Sequence, residues 1–191
     1  MEINNKLNDF VVIFENVLPK KLLEVFSEVC KSQYAKFNIA GIDDGQINKK
    51  IRDADTWELI NDLTNFTAIH WGNFLRKIFQ DKITEYKKQI NCEDVDALIN
   101  SMQVLKYEKK QHYLFHTDHF RLQPRTISGI FFINDNYEGG QLCFSTPDKT
   151  STQIIEPKAN KLILFPSNFL YPHKVVPVTT GTRYTVVTWA L

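Results

Sequence analysis

Tyr107-Glu108-Lys109-Lys110-Gln111-His112-Tyr113-Leu114-Phe115-His116-Thr117-Asp118 decides how the rest of the chain has to fold. Its decisive part is His116-Thr117-Asp118. On a β-strand, side chains i and i+2 share a face, roughly 6.6 Å apart at about 3.3 Å rise per residue. An imidazole and a carboxylate on one strand can therefore close on one metal ion. They supply two ligands of a two-histidine, one-carboxylate triad, a set that leaves open positions on Fe(II). The third ligand has to be a histidine from elsewhere. A lone His-x-Asp also arises by chance, so the C-terminal part of the chain carries the decision.

That part reads Tyr171-Pro172-His173-Lys174-Val175-Val176-Pro177-Val178-Thr179-Thr180-Gly181-Thr182-Arg183-Tyr184-Thr185. His173 is followed ten positions later (183 − 173) by Arg183 on a strand-like run. The interval of 57 residues (173 − 116) leaves room for several strands. The two histidines can meet only if the sheet folds back on itself. From residue 101 onward, short β-rich runs alternate with turns, at 101–107, 113–119, 126–134, 141–145, 151–156, 160–165, 171–178 and 182–190. Asp135-Asn136-Tyr137-Glu138-Gly139-Gly140 is the clearest turn, and Pro157 to Asn160 is another. Such a series of strands predicts a closed or double-sheet unit such as a jelly roll.

Upstream, residues 10–18 read as a strand entering a turn, and Pro19 suits the first turn of a helix. Leu22, Leu23, Val25, Phe26 and Val29 recur at helical spacing, which predicts an amphipathic helix over 19–33. Residues 38–50, with Gly41, Asp43, Asp44 and Gly45, have loop chemistry. The apolar positions of 58–90 repeat near 3.6 and predict one long helix or two shorter ones, with Gly72 tolerated inside and His70 packed among apolar neighbours. The expected fold class is α+β, a double-stranded β-helix (cupin-like jelly roll) with N-terminal helices packed on the sheet. Residues 1–191 read as one domain, 1–100 as its helical support and 101–191 as its catalytic core.

Over residues 101–191, and more loosely over 49–60, these motifs resemble the Fe(II)/2-oxoglutarate dioxygenases, within them the prolyl-4-hydroxylase-like branch. That family shows a tyrosine before His-x-Asp, a Gly-Gly turn, and a distal histidine followed by Arg or Lys. The resemblance implies a hydroxylase acting on a peptidyl or free amino-acid substrate, with oxidative decarboxylation of 2-oxoglutarate to succinate and CO2. It implies Fe(II) held by His116, Asp118 and His173, 2-oxoglutarate and O2 as co-substrates, and ascorbate as an optional reductant. Tyr107 and Tyr113 stand where the family lines the 2-oxoglutarate pocket. An inward arginine is costly without a partner, and the distal carboxylate of 2-oxoglutarate suits the guanidinium fork of Arg183. Thr185, on the same face, can add a hydroxyl. Trp189 matches a tryptophan packed near the iron. Arg52 reads either as a surface arginine or as one facing substrate. His119 points to the opposite face from Asp118, and His112 does not stand at the ligand position, so both are expected to be non-ligands.

The bulk properties fit this reading. Hydrophobic residues make up 43% and charged residues 24%, ordinary for a soluble globular protein. A formal net charge of +1, with Lys-Lys pairs scattered along the chain, argues against nucleic acid as a partner. Cys30, Cys92 and Cys143 are too few and too far apart for a disulfide framework or zinc site, so a reducing compartment is expected. Met1-Glu2-Ile3-Asn4-Asn5 lacks the charged and apolar regions of a signal peptide, and no apolar run reaches membrane-span length. The expected location is cytoplasmic and the expected partner a small molecule or peptide. Two other readings are a 2-oxoglutarate-dependent nucleobase demethylase and a non-catalytic cupin-like metal-binding module. The loops 38–55 and 119–125 are expected to frame the entrance.

Overall fold

A computed structural model describes residues 10–42, 45–60 and 62–191. Residues 1–9, on which the signal-peptide expectation rests, lie outside the described residues, as do Asp43 and Asp44 of the expected entrance loop. Strand β1 (Val12–Glu15) leads into helix α1 (Lys20–Lys31). Strands β2 (Asn38–Ile39), β3 (Arg52–Asp53) and β4 (Asp55–Glu58) then precede the long helix α2 (Phe66–Gln89). The rest is β-structure: β5 (Ile99–Tyr107), β6 (His112–His116), β7 (Ile127–Phe132), β8 (Glu138–Gly139) and β9 (Leu142–Ser145), followed by β10 (Thr152–Ile155), β11 (Lys161–Pro166), β12 (His173–Val175), β13 (Val178–Thr180) and β14 (Arg183–Ala190).

These strands build a seven-stranded sheet in the order β1-β11-β7-β14-β5-β4-β2, a five-stranded sheet in the order β10-β9-β12-β6-β3 and a two-stranded sheet of β13 and β8. All the pairings are antiparallel. The central strands of the large sheet alternate between two apolar layers, as a period of two requires. Phe131, Leu162, Leu164 and Val186 face the helices and pack with Phe26, Trp71, Leu75 and Phe79. Ile130, Phe132, Ile163 and Val187 face the other way and meet Leu142, Phe144 and Val175 of the small sheet. The fold is the expected jelly roll, with helices on the outer face of one sheet and a space between the two sheets. Burial of each such side chain stabilises the fold by roughly 1.5–3 kcal/mol.

Several sequence expectations shift. The helix expected over 58–90 starts at Phe66, because the Asn65 side chain caps it, accepting from the N–H groups of Thr67 and Ala68, each at 3.1 Å. The apolar residues before it are not helical: Leu59, just past the end of β4, is buried with its N–H donating to Met102 O at 3.0 Å, and Leu63 is exposed. Gly72 is required rather than tolerated, since a Cβ there would lie 2.1 Å from Leu59 O. The run 171–178 splits into β12 and β13 around Pro177, which has no N–H to give a ladder. The run 113–119 stops pairing at His116, because the chain turns and His119 N–H donates to Ser167 O at 2.9 Å. Residues 1–100 also supply strands: β1, β2 and β4 join the large sheet, and β3 joins the small one.

Candidate functional site

His116, the last residue of β6, and His173, the first of β12, are partners across the strand pair. Their rings lie 4.3 Å apart between centroids. Asp118 stands beyond the strand end and turns back toward both. One carboxylate oxygen is 3.6 Å from His116 Nε2, and the other is 3.6 Å from His173 Nε2. The expectation that His116 and Asp118 share one strand is therefore corrected, although the two side chains do converge. All three potential ligand atoms lie within 4.8 Å of one another.

Hydrogen bonds orient each of the three. His116 Nδ1 is 2.9 Å from Leu114 O, and His173 Nδ1 is 3.1 Å from Tyr171 O. A carbonyl can only accept, so a neutral ring carries its proton on Nδ1 and leaves the Nε2 lone pair toward the centre. Ser128 Oγ donates to Asp118 at 2.6 Å, and Ser167 Oγ lies 2.7 Å from Ser128 Oγ. Because Ser128 has one proton and spends it on Asp118, Ser167 is the donor to Ser128.

Electrostatics set the protonation states. Burial works against the Asp118 carboxylate, but the adjacent His173 and His116 and the Ser128 hydroxyl outweigh it and hold the carboxyl well below the usual range. Burial pushes the His173 imidazole down to about 4, His116 adds to the shift, and Asp118 opposes it. At neutral pH the site presents a neutral imidazole at 173 and an ionised carboxylate at 118. Those are the forms that bind a metal ion, and this donor set suits Fe(II).

A second group of polar atoms lies at the Arg183 end of the cavity. Arg183 is 1% exposed, and its partner in register on β5 is Tyr107. The guanidinium lies 5.1 Å from the Tyr107 ring and 5.2 Å from that of Phe132. Its Nη1 donates to Thr185 Oγ1 at 3.0 Å. Among the described residues no carboxylate pairs with it, and its Nε and the Tyr107 and Tyr137 hydroxyls are buried without hydrogen-bond partners. Three orphaned donors around a buried cation call for a multi-acceptor anion. Gly140 makes the space: with φ at +64°, a Cβ there would come 2.9 Å from Arg183 Cδ.

The two groups share one cavity of about 270 Å³, close to the lower end of small-molecule sites. Tyr113 lines it and stacks on His116 at 3.5 Å between centroids, so it is a wall for the imidazole. Thr185 holds Arg183 rather than standing apart from it. Trp189 lines the cavity under Arg125, whose guanidinium lies 3.8 Å from the indole. Arg52 is half-buried in the cavity wall, 5.0 Å from the Tyr113 ring, so the surface reading of this residue is corrected. Gly41 and Ile42 of one expected entrance loop, and Phe120 and Gln123 of the other, line the same cavity. His112 and His119 bond backbone carbonyls of Lys110 and Arg125 and stand outside the triad. His70 is exposed, edge-on to Trp71 at 5.5 Å, rather than packed among apolar residues.

Sequence reasoning missed Ser128, Ser167, Tyr137, Glu58 and Gln103. A serine inside the apolar run 127–132 was the available signal for Ser128. Tyr137 lay hidden in a segment read only as a turn.

Residues 102–191 match the sequence profile of the 2OG-Fe(II) oxygenase superfamily. The chain is 35% identical over 98 residues to a PKHD-type hydroxylase of Crocosphaera subtropica, covering 48% of this chain and 42% of that one. It is 41% identical over 66 residues to prolyl 3-hydroxylase 2 of Homo sapiens, covering 34% of this chain and 9% of that one. The chain thus spans less than half the length of these curated relatives. Among solved structures it is similar to a prolyl hydroxylase from Trichoplax adhaerens, in complex with a hypoxia inducible factor oxygen degradation domain peptide fragment. The TM-score is 0.75 at 21% identity, covering 96% of this chain and 84% of that one. A Pseudomonas putida prolyl-4-hydroxylase gives 0.70 at 21% identity, covering 94% and 91%. Likeness at this identity is a likeness of fold.

Proposed function

We propose that this chain, whose residues 102–191 match the 2OG-Fe(II) oxygenase superfamily, is an Fe(II)- and 2-oxoglutarate-dependent hydroxylase of a peptidyl or free amino-acid substrate. The observation that carries the proposal is the buried Arg183, which lacks a carboxylate partner among the described residues and shares a cavity with the His116, Asp118 and His173 cluster.

Bound iron with 2-oxoglutarate and O2 supplies the oxidising chemistry, with succinate and CO2 as by-products. The chain's own residues bind and orient. His116, Asp118 and His173 would hold the metal ion. Ser128 fixes the Asp118 carboxylate, and the Leu114 and Tyr171 carbonyls fix the two rings. Arg183 would receive the distal carboxylate of 2-oxoglutarate, with Tyr107 and Tyr137 donating their hydroxyl protons and Thr185 holding the guanidinium in place. Tyr113 and Trp189 wall the site, and Arg52 faces the substrate. The apolar layer between the sheets keeps bulk water from the reacting centre.

A cupin-like module that only stores metal would have no use for the Arg183 pocket, and the near-neutral charge weighs against a nucleic-acid substrate. Residues 1–100 contribute strands to both sheets, which supports reading the chain as one catalytic domain. No described helix is long and apolar enough to cross a membrane. The three cysteines are free, which fits a reducing, cytoplasmic setting. The test is anaerobic titration of Fe(II) and then 2-oxoglutarate, followed by succinate release in air. One iron per chain and 2-oxoglutarate-dependent succinate are expected. Stoichiometric iron without any 2-oxoglutarate binding would overturn the proposal.

A further inference from the structure

The cavity holds a third polar group, for which neither iron nor 2-oxoglutarate has a use. Glu58 on β4 and Gln103 on β5 are partners in register, and both line the cavity. Gln103 lies four residues before Tyr107 on one face of β5 (107 − 103). At about 3.3 Å per residue that places it roughly 13 Å along the strand from the Arg183 end. Gln103 Nε2 donates to Glu58 Oε1. This bond turns the amide's NH2 toward Glu58 and leaves Glu58 Oε2 and Gln103 Oε1 as two neighbouring buried acceptors, neither with a donor among the described residues. Arg52 lines the same cavity. Its Nη1 donates to Gly41 O at 2.8 Å, and its Nε, also buried, has no acceptor.

The charges narrow the choice of ligand. Burial pushes the Glu58 carboxyl up, while the bond from Gln103 and the positive charges of Arg52 and Arg125 oppose that shift, so both arginines lie within electrostatic reach. A lone cation would meet two guanidinium groups, and a lone anion would meet Glu58. Two buried acceptors beside a buried donor on a cation are satisfied together by a small zwitterion. A residue inside a peptide has neither an ammonium nor a carboxylate on its backbone and would leave these charges facing amides.

Resting on the hydroxylase reading above, we propose that the substrate is a free α-amino acid, its ammonium against Glu58 and Gln103 and its carboxylate toward Arg52. Glu58 and Gln103 are then the residues that select a free amino acid over a peptidyl one.

The experiment is calorimetric titration, without O2, of the protein loaded with Mn(II) and 2-oxoglutarate. The probes are the twenty free L-amino acids, then the N-acetyl and carboxamide forms of the best binder. At least one free amino acid should bind, and either cap should weaken it by about tenfold or more, the scale for losing a charged hydrogen bond. Glu58→Gln should erase most of the preference for the free over the N-acetylated ligand while 2-oxoglutarate affinity holds. Gln103→Leu should do the same by removing the second acceptor. If no amino acid binds to protein that does bind 2-oxoglutarate, or if capped forms bind as well as free ones, the inference is wrong and the hydroxylase reading stands. If 2-oxoglutarate itself fails to bind beside the metal, both fall together.

Discussion

His173 faces His116 across the β12–β6 pair, and Asp118 offers one carboxylate oxygen to each Nε2 at 3.6 Å. Neither histidine depends on the other's sequence neighbourhood. The pairing of two strands that enter from distant parts of the chain brings them together. Removing any one of the three ligands should therefore abolish stoichiometric iron: His116→Ala, Asp118→Ala and His173→Ala each lose it, while His112→Ala and His119→Ala keep it. Metal analysis after anaerobic loading checks this, and normal iron in His173→Ala would remove that residue from the centre.

The same cluster makes the metal-free protein sensitive to acid. His173 is held at about 4, against an ordinary value of 6.5. The folded protein therefore refuses a proton that the unfolded chain accepts, so stability falls as pH drops from about 6.5 toward 4. A shift of that size is worth on the order of 3 kcal/mol. Asp118, shifted down, contributes stability above the ordinary carboxylate range and loses it only at still lower pH. Urea denaturation of metal-free protein between pH 7 and 4 should show the loss, and His173→Gln should flatten it. A wild-type profile without slope in that window contradicts the buried neutral imidazole.

Arg183 should matter to 2-oxoglutarate and not to iron. Arg183→Leu strands a carboxylate against an apolar wall. Breaking a buried pair costs on the order of 3–5 kcal/mol, roughly a hundred- to several-thousand-fold in affinity. Arg183→Lys should lose less, since it keeps the charge without the planar fork. Titration of 2-oxoglutarate into iron-loaded protein measures both. Affinity within a few-fold of wild type in Arg183→Leu places the clamp elsewhere.

Gly140 tests the same pocket from below. A Cβ at this position meets Arg183 Cδ at 2.9 Å and Tyr137 Cε2 at 3.1 Å, on a backbone with φ at +64°. Gly140→Ala should cost about 1–2 kcal/mol of stability from the left-handed conformation alone. It should also weaken 2-oxoglutarate binding by displacing the guanidinium. An unchanged affinity in a folded Gly140→Ala protein would show that Arg183 is not positioned by this close approach.

Ser128 should tune the metal without ligating it. Ser128→Ala removes the 2.6 Å donor to Asp118. Loss of such a supporting bond typically lowers metal affinity by about 10- to 100-fold. Competition for Fe(II) against a chelator under anaerobic conditions reads the change, and a wild-type affinity would show that the carboxylate orients itself.

Local pattern, read together with the family resemblance, was enough to single out His116, Asp118 and His173, which the fold brings together, as well as the inward Arg183 and the β-rich C-terminal half. His116-Thr117-Asp118, the ten-residue step from His173 to Arg183 and the Gly139-Gly140 turn are short-range features, and their chemistry is set by residue type and spacing. The same pattern misplaced the start of α2, because periodicity cannot distinguish a helix face from buried residues outside a helix, and only the Asn65 cap and the Leu59–Met102 bond settle it. Glu58, Gln103, Ser128 and Tyr137 were not legible as site residues. They come from four separate strands and turns, and each sits in a stretch that looks like ordinary sheet or turn. Which of them face one another depends on strand order and register, and those are decided by the burial of two apolar layers along the whole chain. A polar side chain gains its role only when that packing shuts it away from water beside the others. Tertiary structure alone decides this, because the free energy of a buried polar atom depends on its neighbours in space and not on its neighbours in sequence.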